Sequence, residues 1–377
     1  MRLLPIVYSA RKATVRTTRG ADRKGSTAYD PFLTIQPFPH MSEKVHRNLG
    51  MELVRVTEAA ALSAARYMGL GDKEAGDQAA VDAMRAVLRT VEMDGVVVIG
   101  EGEKDEAPML FNGERVGAGR PPAMDVAVDP VEGTRLLAFG RPNAIAVIAA
   151  SARGSLWKPG ASLYMNKLVV ERQARHVIDI TRPPAENLYR IAEALGRAVE
   201  SLTVFVLDKP RHRDLITEIR GTGARVTLHT DGDVMGALMA AIPGTGVDVL
   251  MGVGGTPEGV LAAAAVKALG GGMQGLRAPQ LDDERARLAA DGLALDRVLH
   301  LDDLVADDDA FFAATAITDS PFLEGVHFDR AGGVTTHSIV IRARSGSIRF
   351  IKGMHRLNPE HIFGAVDTEK AVALATA

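Results

Sequence analysis

Five carboxylates stand where a folded chain would bring distant segments together. Asp77 lies four residues before Val81, so on a helix it shares the inward stripe of Val81, Met84 and Leu88. Glu101 follows the β-branched run 96–99, Asp129 and Glu132 follow a second run at 126–128, and Glu258 opens a helix after a third. Hard divalent cations such as Mg²⁺ and Mn²⁺ take oxygen ligands, and strand ends hold carboxylates rigidly in one place. Without a cation, carboxylates converging there repel one another. In the string Asp129-Pro130-Val131-Glu132-Gly133-Thr134, the proline stiffens the turn and the glycine lets the backbone approach a ligand. Thr134 adds a hydroxyl where a helix begins, and helix-terminal N–H groups attract phosphate. The set suits metal-dependent hydrolysis of a phosphate ester. Glu103, Asp105 and Glu106 read as a solvated acidic loop beside it.

The elements that must position these groups can be read from periodicity. Helical spacing predicts helices over 53–68 and 72–91, joined at 69–71. Beyond Pro183 and Pro184 the pattern is helix 185–195, strand 203–207, helix to 220, strand 225–228, helix to 242, strand 247–251 and helix 257–269. That alternation predicts a parallel, doubly wound sheet in the second half. The loops after its three strands carry Lys209-Pro210-Arg211-His212, Asp231-Gly232-Asp233 and Gly254-Gly255-Thr256-Pro257-Glu258, and ligands bind outside the carboxyl ends of such strands. Cations at a helix start oppose its dipole, so Lys209, Arg211 and His212 hint at a bound anion. An acidic helical stretch over 282–309, a strand at 311–317 and a hairpin-like pair at 334–342 and 348–351 complete the reading.

Composition narrows the classes. A chain of 377 residues, 46% hydrophobic and 24% charged, favours two domains with a sizeable core. Residues 1–49 hold nine Lys/Arg against three Asp/Glu, so the remainder carries −9 of the total of −3 and offers no general surface for nucleic acid. The absence of cysteine excludes thiolate metal sites, a cysteine nucleophile and disulfides within this chain. No apolar run approaches the ~18 residues of a membrane span. The Gly-x-Gly-x-x-Gly and Gly-x-x-x-x-Gly-Lys-Ser/Thr strings of nucleotide sites are missing, which argues against a nucleotide-cofactor enzyme. Residues 1–45 read as a disordered or mis-started extension, with Met41 and Met51 as alternative starts.

Taken together with Gly71-Asp72-Lys73 and Gly100-Glu101-Gly102-Glu103, these strings resemble, in order and approximate spacing over about 51–351, the class II fructose-1,6-bisphosphatases of the GlpX type. The shorter pattern Asp-Pro-x-Asp/Glu-Gly-Thr marks the wider lithium-sensitive sugar and inositol phosphatase superfamily. The resemblance implies a mixed α/β and α+β chain in a layered α-β-α-β-α fold. The division expected is a metal-binding domain over 46–185, a substrate-binding domain over 186–353 and a tail over 354–377. It further implies hydrolysis of the 1-phosphate of fructose 1,6-bisphosphate in gluconeogenesis, with sedoheptulose 1,7-bisphosphate or an inositol phosphate as alternative substrates and a phosphosugar-binding regulator as the non-enzyme alternative. Matched by motif, Asp77 and Glu101 look like ligands of one divalent ion, Mg²⁺ or Mn²⁺, and Asp129, Glu132 and Glu258 like ligands bearing on a second. Asp129, Glu132 and Thr134 would be catalytic. Gly133 and Thr134 would meet the scissile phosphate, while Tyr164, Lys209, Pro210, Arg211, Asp231, Gly232, Asp233 and Gly255 would hold the sugar and its 6-phosphate. A cytoplasmic homodimer or homotetramer, with no nucleic-acid or membrane partner, is also implied. Leu70, where relatives commonly have Arg, and Ala316, where they have Gly, depart from the family pattern.

Overall fold

Two long helices come first, because alanine and leucine at helical spacing give each a continuous apolar stripe. They are α1 (Leu49–Ala64) and α2 (Lys73–Leu88), and the Asp72 side chain accepts a hydrogen bond from Ala75 N–H to cap the second. The computed structural model describes residues 49–102, 109–329 and 332–356. The expected extension, the acidic loop residues Glu103, Asp105 and Glu106, and 357–377 of the tail lie outside the described residues. The next strands are β1 (Asp94–Ile99), β2 (Arg115–Val116), β3 (Ala123–Glu132) and β4 (Ile145–Ala152), with α3 (Thr134–Ala138) between the last two. A second sheet follows, from β5 (Tyr164–Val170), β6 (Thr203–Leu207), β7 (Arg225–His229), β8 (Val249–Gly255), β9 (Gly272–Arg277) and β10 (Leu299–His300). Its helices are α4 (Pro184–Ala194), α5 (Arg213–Gly221), α6 (Asp233–Ala241), α7 (Thr256–Leu269) and α8 (Asp282–Ala290). After α9 (Leu301–Leu304) the chain returns to the first sheet with β11 (Phe311–Ala316), β12 (His327–Phe328), β13 (Gly333–Arg342) and β14 (Ser347–Arg356).

The first sheet runs β12-β13-β11-β4-β3-β1-β2 with β14 on the other edge of β13, and the second runs β10-β9-β5-β8-β6-β7. Strand alternation sorts their side chains into layers. Val126, Val128, Ala146, Ile148, Phe311 and Ala313 pack under α1 and α2, whereas Ala127, Ile145, Val147, Phe312 and Ala314 face α6 and α7. On the second sheet, Met165, Val169 and Phe205 face that same helix pair, and Leu168, Val170, Val204 and Val206 face α4 and Ile219 of α5. The order is therefore α-β-α-β-α, as expected. The middle layer explains the composition of α7: Ala262, Ala263, Ala264 and Ala265 are all buried, because a helix enclosed by two sheets has no polar face to offer.

Four expectations are corrected. The second sheet is parallel only across β7, β6 and β8, since β5 pairs antiparallel with both β8 and β9. β8 and β9 are joined through α7, and β5 is inserted between them from earlier in the chain, so its direction is not set by the helix crossovers. The sheets also do not change over at 185/186: β5 already belongs to the second, and β11 to β14 belong to the first. Pro184 begins α4, the position where proline's missing N–H costs nothing, so the two prolines mark a helix start. Residues 354–356 are the end of β14 and not tail, and the acidic stretch 282–309 divides into α8, β10 and α9. Of the two departures from the family pattern, Leu70 is 68% exposed, and Ala316 ends β11 with its methyl group packed in the core.

Candidate active site

All five carboxylates line one cleft of about 650 Å³, with Gly133, Thr134, Tyr164, Lys209, Arg211, Asp231, Gly232, Asp233 and Gly255. Of the expected residues, Pro210 and His212 are not in its lining; Pro210 opens the short turn that carries Arg211.

Local structure explains each placement. Gly76 lets α2 pass close to α3, because a methyl group there would stand 2.9 Å from Leu137, and this brings Asp77 to the cleft. Glu101 sits just beyond β1, where its N–H donates to Leu110 O at 3.0 Å. The register of β3 against β4 slips between Asp129 and Glu132, and Asp129 Oδ1 accepts from Val131 N–H at 3.0 Å across that bulge. Such irregularities re-aim side chains at strand ends. Asp129 and Glu132 therefore belong to the strand, and Gly133, at φ +89°, makes the left-handed turn into α3. Glu132 Oε1 accepts from Val234 N–H at the start of α6, tying the two sheets together at the cleft.

On the opposite wall Lys209 Nζ meets Asp231 Oδ1 at 3.1 Å, so two expected sugar-binding residues pair with each other. The Arg211 guanidinium donates twice to Val253 O, at 3.1 and 2.7 Å, and lies over the Tyr164 ring. His212, expected to meet an anion with Lys209 and Arg211, is buried instead. Its Nδ1 bonds Leu207 O at 2.6 Å and its Nε2 accepts from Val253 N–H at 2.8 Å, which requires the neutral ring. Burial, with Arg211 and Lys209 nearby, lowers its pKa and favours that form. Tyr164 is held in turn by Glu284, whose Oε1 accepts from Leu163 and Tyr164 N–H at 2.7 and 2.9 Å.

Four contributors were missed by the sequence reading. Lys73 and Arg135 line the cleft beside the carboxylates, and neither forms an ion pair among the described residues. A lysine in the first position of a helix, against the dipole, was the available signal for Lys73. Lys167 and Glu284 are buried behind the wall that carries Tyr164 and Asp233. A single charge inside the strand-like run Met165-Asn166-Lys167-Leu168 was a signal for the former.

The acidic wall is electrostatically strained. Burial, with Glu74 adding, pushes the Asp77 carboxyl up from 3.8 to about 6. Burial, with Asp77 and Glu258 adding, pushes Glu101 from 4.5 to about 7. Asp129 and Glu132 are raised well above their usual range and Glu258 is raised, each by burial first and neighbouring carboxylates second. Among the described residues no three acidic or histidine side chains are gathered into a ready ligand set. Yet Glu132 Oε2, Asp231 Oδ2 and Glu258 Oε2 are buried without a hydrogen-bond partner. The orphaned oxygens of Glu132 and Glu258 in the acidic wall fit a hard divalent cation.

Raised carboxyl groups hold protons in the folded state that the unfolded chain has already released. Their contribution to stability is complete below the ordinary values near 4 and is lost as pH rises through the folded values of about 6 and 7. Protein treated with a chelator should therefore melt at a lower temperature at pH ~8 than at pH ~5.5, and added Mn²⁺ or Mg²⁺ should raise the midpoint much more at the higher pH. A midpoint in chelator that ignores both pH and added cation would remove the acidic cluster from the argument.

Similarity to known proteins runs through most of the chain. Residues 47–355 match the family described as bacterial fructose-1,6-bisphosphatase, glpX-encoded. The chain is 45% identical over 328 residues to the fructose-1,6-bisphosphatase class 2 of Haemophilus influenzae, covering 83% of this chain and 98% of that protein. It is 44% identical over 328 residues to the fructose-1,6-bisphosphatase 1 class 2 of Escherichia coli K12, with 83% and 97% covered.

Proposed function

The chain belongs to the glpX-encoded family of bacterial fructose-1,6-bisphosphatases, and from that premise we propose that its cleft hydrolyses the 1-phosphate of fructose 1,6-bisphosphate. The observation that carries the reading to these residues is that a single cleft is lined both by the carboxylates Asp77, Glu101, Asp129, Glu132 and Glu258 and by the cations Lys209 and Arg211. A monophosphate needs only the acidic group, whereas a bisphosphate uses both.

In this reading Asp77 and Glu101 would hold one divalent ion, and Asp129, Glu132 and Glu258 a second, with Mg²⁺ or Mn²⁺ the ions that suit oxygen ligands. When bound, such ions neutralise phosphate oxygens and acidify water. The chain's own groups do the rest. Gly133 leaves backbone room for the scissile phosphate, and the Thr134 hydroxyl orients the attacking water and relays its proton to the neighbouring carboxylates, from which the departing sugar oxygen is protonated. Lys209 and Arg211 hold the distal phosphate, and Tyr164, Asp231, Asp233 and Gly255 orient the sugar between. The reaction is then a single in-line displacement releasing fructose 6-phosphate and inorganic phosphate.

Phosphate release should be measured with and without Mn²⁺ or Mg²⁺ on fructose 1,6-bisphosphate, sedoheptulose 1,7-bisphosphate and an inositol monophosphate. Fructose 1,6-bisphosphate should be hydrolysed best, and only with metal. Arg211→Ala should lower kcat/KM for it by ~10- to 150-fold, the effect of losing one charge-assisted bond. Most of the loss should appear in KM, with little change for a monophosphate lacking the remote group. An equal loss on both substrates would locate the defect in the fold or the acidic wall instead.

A further inference from the structure

Lys167 is the one charged residue of β5. Met165 and Val169, two residues to either side, pack into the apolar layer with α6 and α7, so Lys167 shares their face and points the same way. It is 2% exposed. An ammonium in such a layer is costly unless paired and hydrogen-bonded. Its Nζ lies 2.5 Å from Asp233 Oδ2 and donates to Gly255 O at 2.6 Å. Both acceptors belong to the substrate wall: Asp233 opens α6 and Gly255 closes β8.

The surroundings are built around this contact. A methyl group on Gly254 would stand 2.0 Å from Asp233 Oδ2 and 2.9 Å from Lys167 Nζ, so no larger residue leaves room for the pair. Asp233 also adjoins the acidic wall closely enough for its charge to act on Glu132 and Glu258. It is therefore a carboxylate with two possible employments, one toward a sugar hydroxyl and one as an extra cation ligand beside Glu132 and Glu258. The lysine stands on the side that decides between them.

We infer that Lys167 is a positioning residue that reserves Asp233 for the sugar, fixing one of its oxygens together with the Gly255 carbonyl and withholding that carboxylate from the metal-binding group. The inference rests on the proposed role of Asp233 and Gly255 in holding substrate. Lys167 itself touches no reacting atom; it acts by fixed charge and geometry.

The two consequences of removing it point in opposite directions, which a merely structural lysine would not produce. In Lys167→Met a carboxylate is released into the acidic wall, so Mn²⁺ binding measured calorimetrically without substrate should tighten by about 10-fold or more. KM for fructose 1,6-bisphosphate should rise by roughly 10-fold with a smaller change in kcat, as one charge-assisted contact loses its orientation. The double variant Lys167→Met/Asp233→Asn neutralises both partners. It should return Mn²⁺ affinity to that of the wild type while keeping the raised KM, and it carries the test if the single variant does not fold. Weakened binding of both Mn²⁺ and substrate in Lys167→Met, or a wild-type KM in the double variant, would overturn the inference. Absence of fructose 1,6-bisphosphate hydrolysis by the wild type would instead refute the functional reading, and the calorimetric arm would still report on Lys167.

Discussion

Asp129→Asn should abolish nearly all turnover while leaving a protein that is no less stable than the wild type when metal is removed. The two halves of that result have the same cause. Asp129 lies at the bulge that ends β3, where Oδ1 accepts from Val131 N–H, and asparagine keeps that acceptor and the side-chain shape. What it removes is a charge crowded by burial first, then by Glu101, Glu258 and Asp77. Relieving that repulsion favours the folded state in chelator, so the melting midpoint there should be unchanged or higher. The same charge is what a divalent ion needs at the centre of the wall, and losing several kcal/mol of metal-assisted stabilisation predicts roughly 10³-fold or more in kcat. Steady-state rates over a Mn²⁺ series, beside melts in chelator, decide the matter. Near-normal turnover at limiting metal would refute the assignment, and a large drop in melting temperature would reassign Asp129 to the architecture.

The residues at the ends of β1 and β3 were legible because their signal is local. A β-branched run followed at once by Gly-Glu-Gly or Asp-Pro-x-Glu-Gly-Thr states both the strand and the place where it stops. The helices α6 and α7 were legible for the same reason. β5 was not. Its centre, Asn166-Lys167, is polar, and its partners are β8 and β9, far along the chain. Its polar centre blurs the alternation, and its antiparallel pairing with strands far along the chain cannot be read from local sequence. That single omission accounts for most of the rest: with β5 unseen, the second sheet looked wholly parallel, and its boundary moved to the prolines at 183 and 184. Lys167 was lost with it. Its acceptors, Asp233 and Gly255, are adjacent to it only after both strands and α6 are in place. Glu284 was hidden differently, as one acid in an acidic helix, although it is fully buried and holds the turn that aims Tyr164. Charge runs read as solvated faces conceal the one member that faces inward.

Thr134→Ala should lower kcat by roughly 10² to 10⁴, the range for losing a positioned proton-transfer group, with little change in KM. The position favours a chemical over a structural role. Thr134 is the first residue of α3, directly after the left-handed Gly133, and it lines the cleft together with Asp129, Glu132 and Arg135. Its hydroxyl makes no hydrogen bond among the described residues, so its removal breaks no contact that holds α3 in place. The helix is held instead by Leu136 and Leu137, which are buried and whose N–H groups donate to Gly133 O at 2.8 and 3.1 Å. Alanine preserves all of this and should leave the melting temperature and the binding of Mn²⁺ unchanged. Serine restores a hydroxyl without the methyl group that restricts its rotation, so Thr134→Ser should recover part of the rate. The threonine-to-alanine loss should also persist at saturating metal and substrate, which separates it from Asp129→Asn, where the metal series itself is altered. Equal activity of the alanine and serine variants would mean that the hydroxyl does no chemistry, and that the attacking water is oriented by the carboxylates alone.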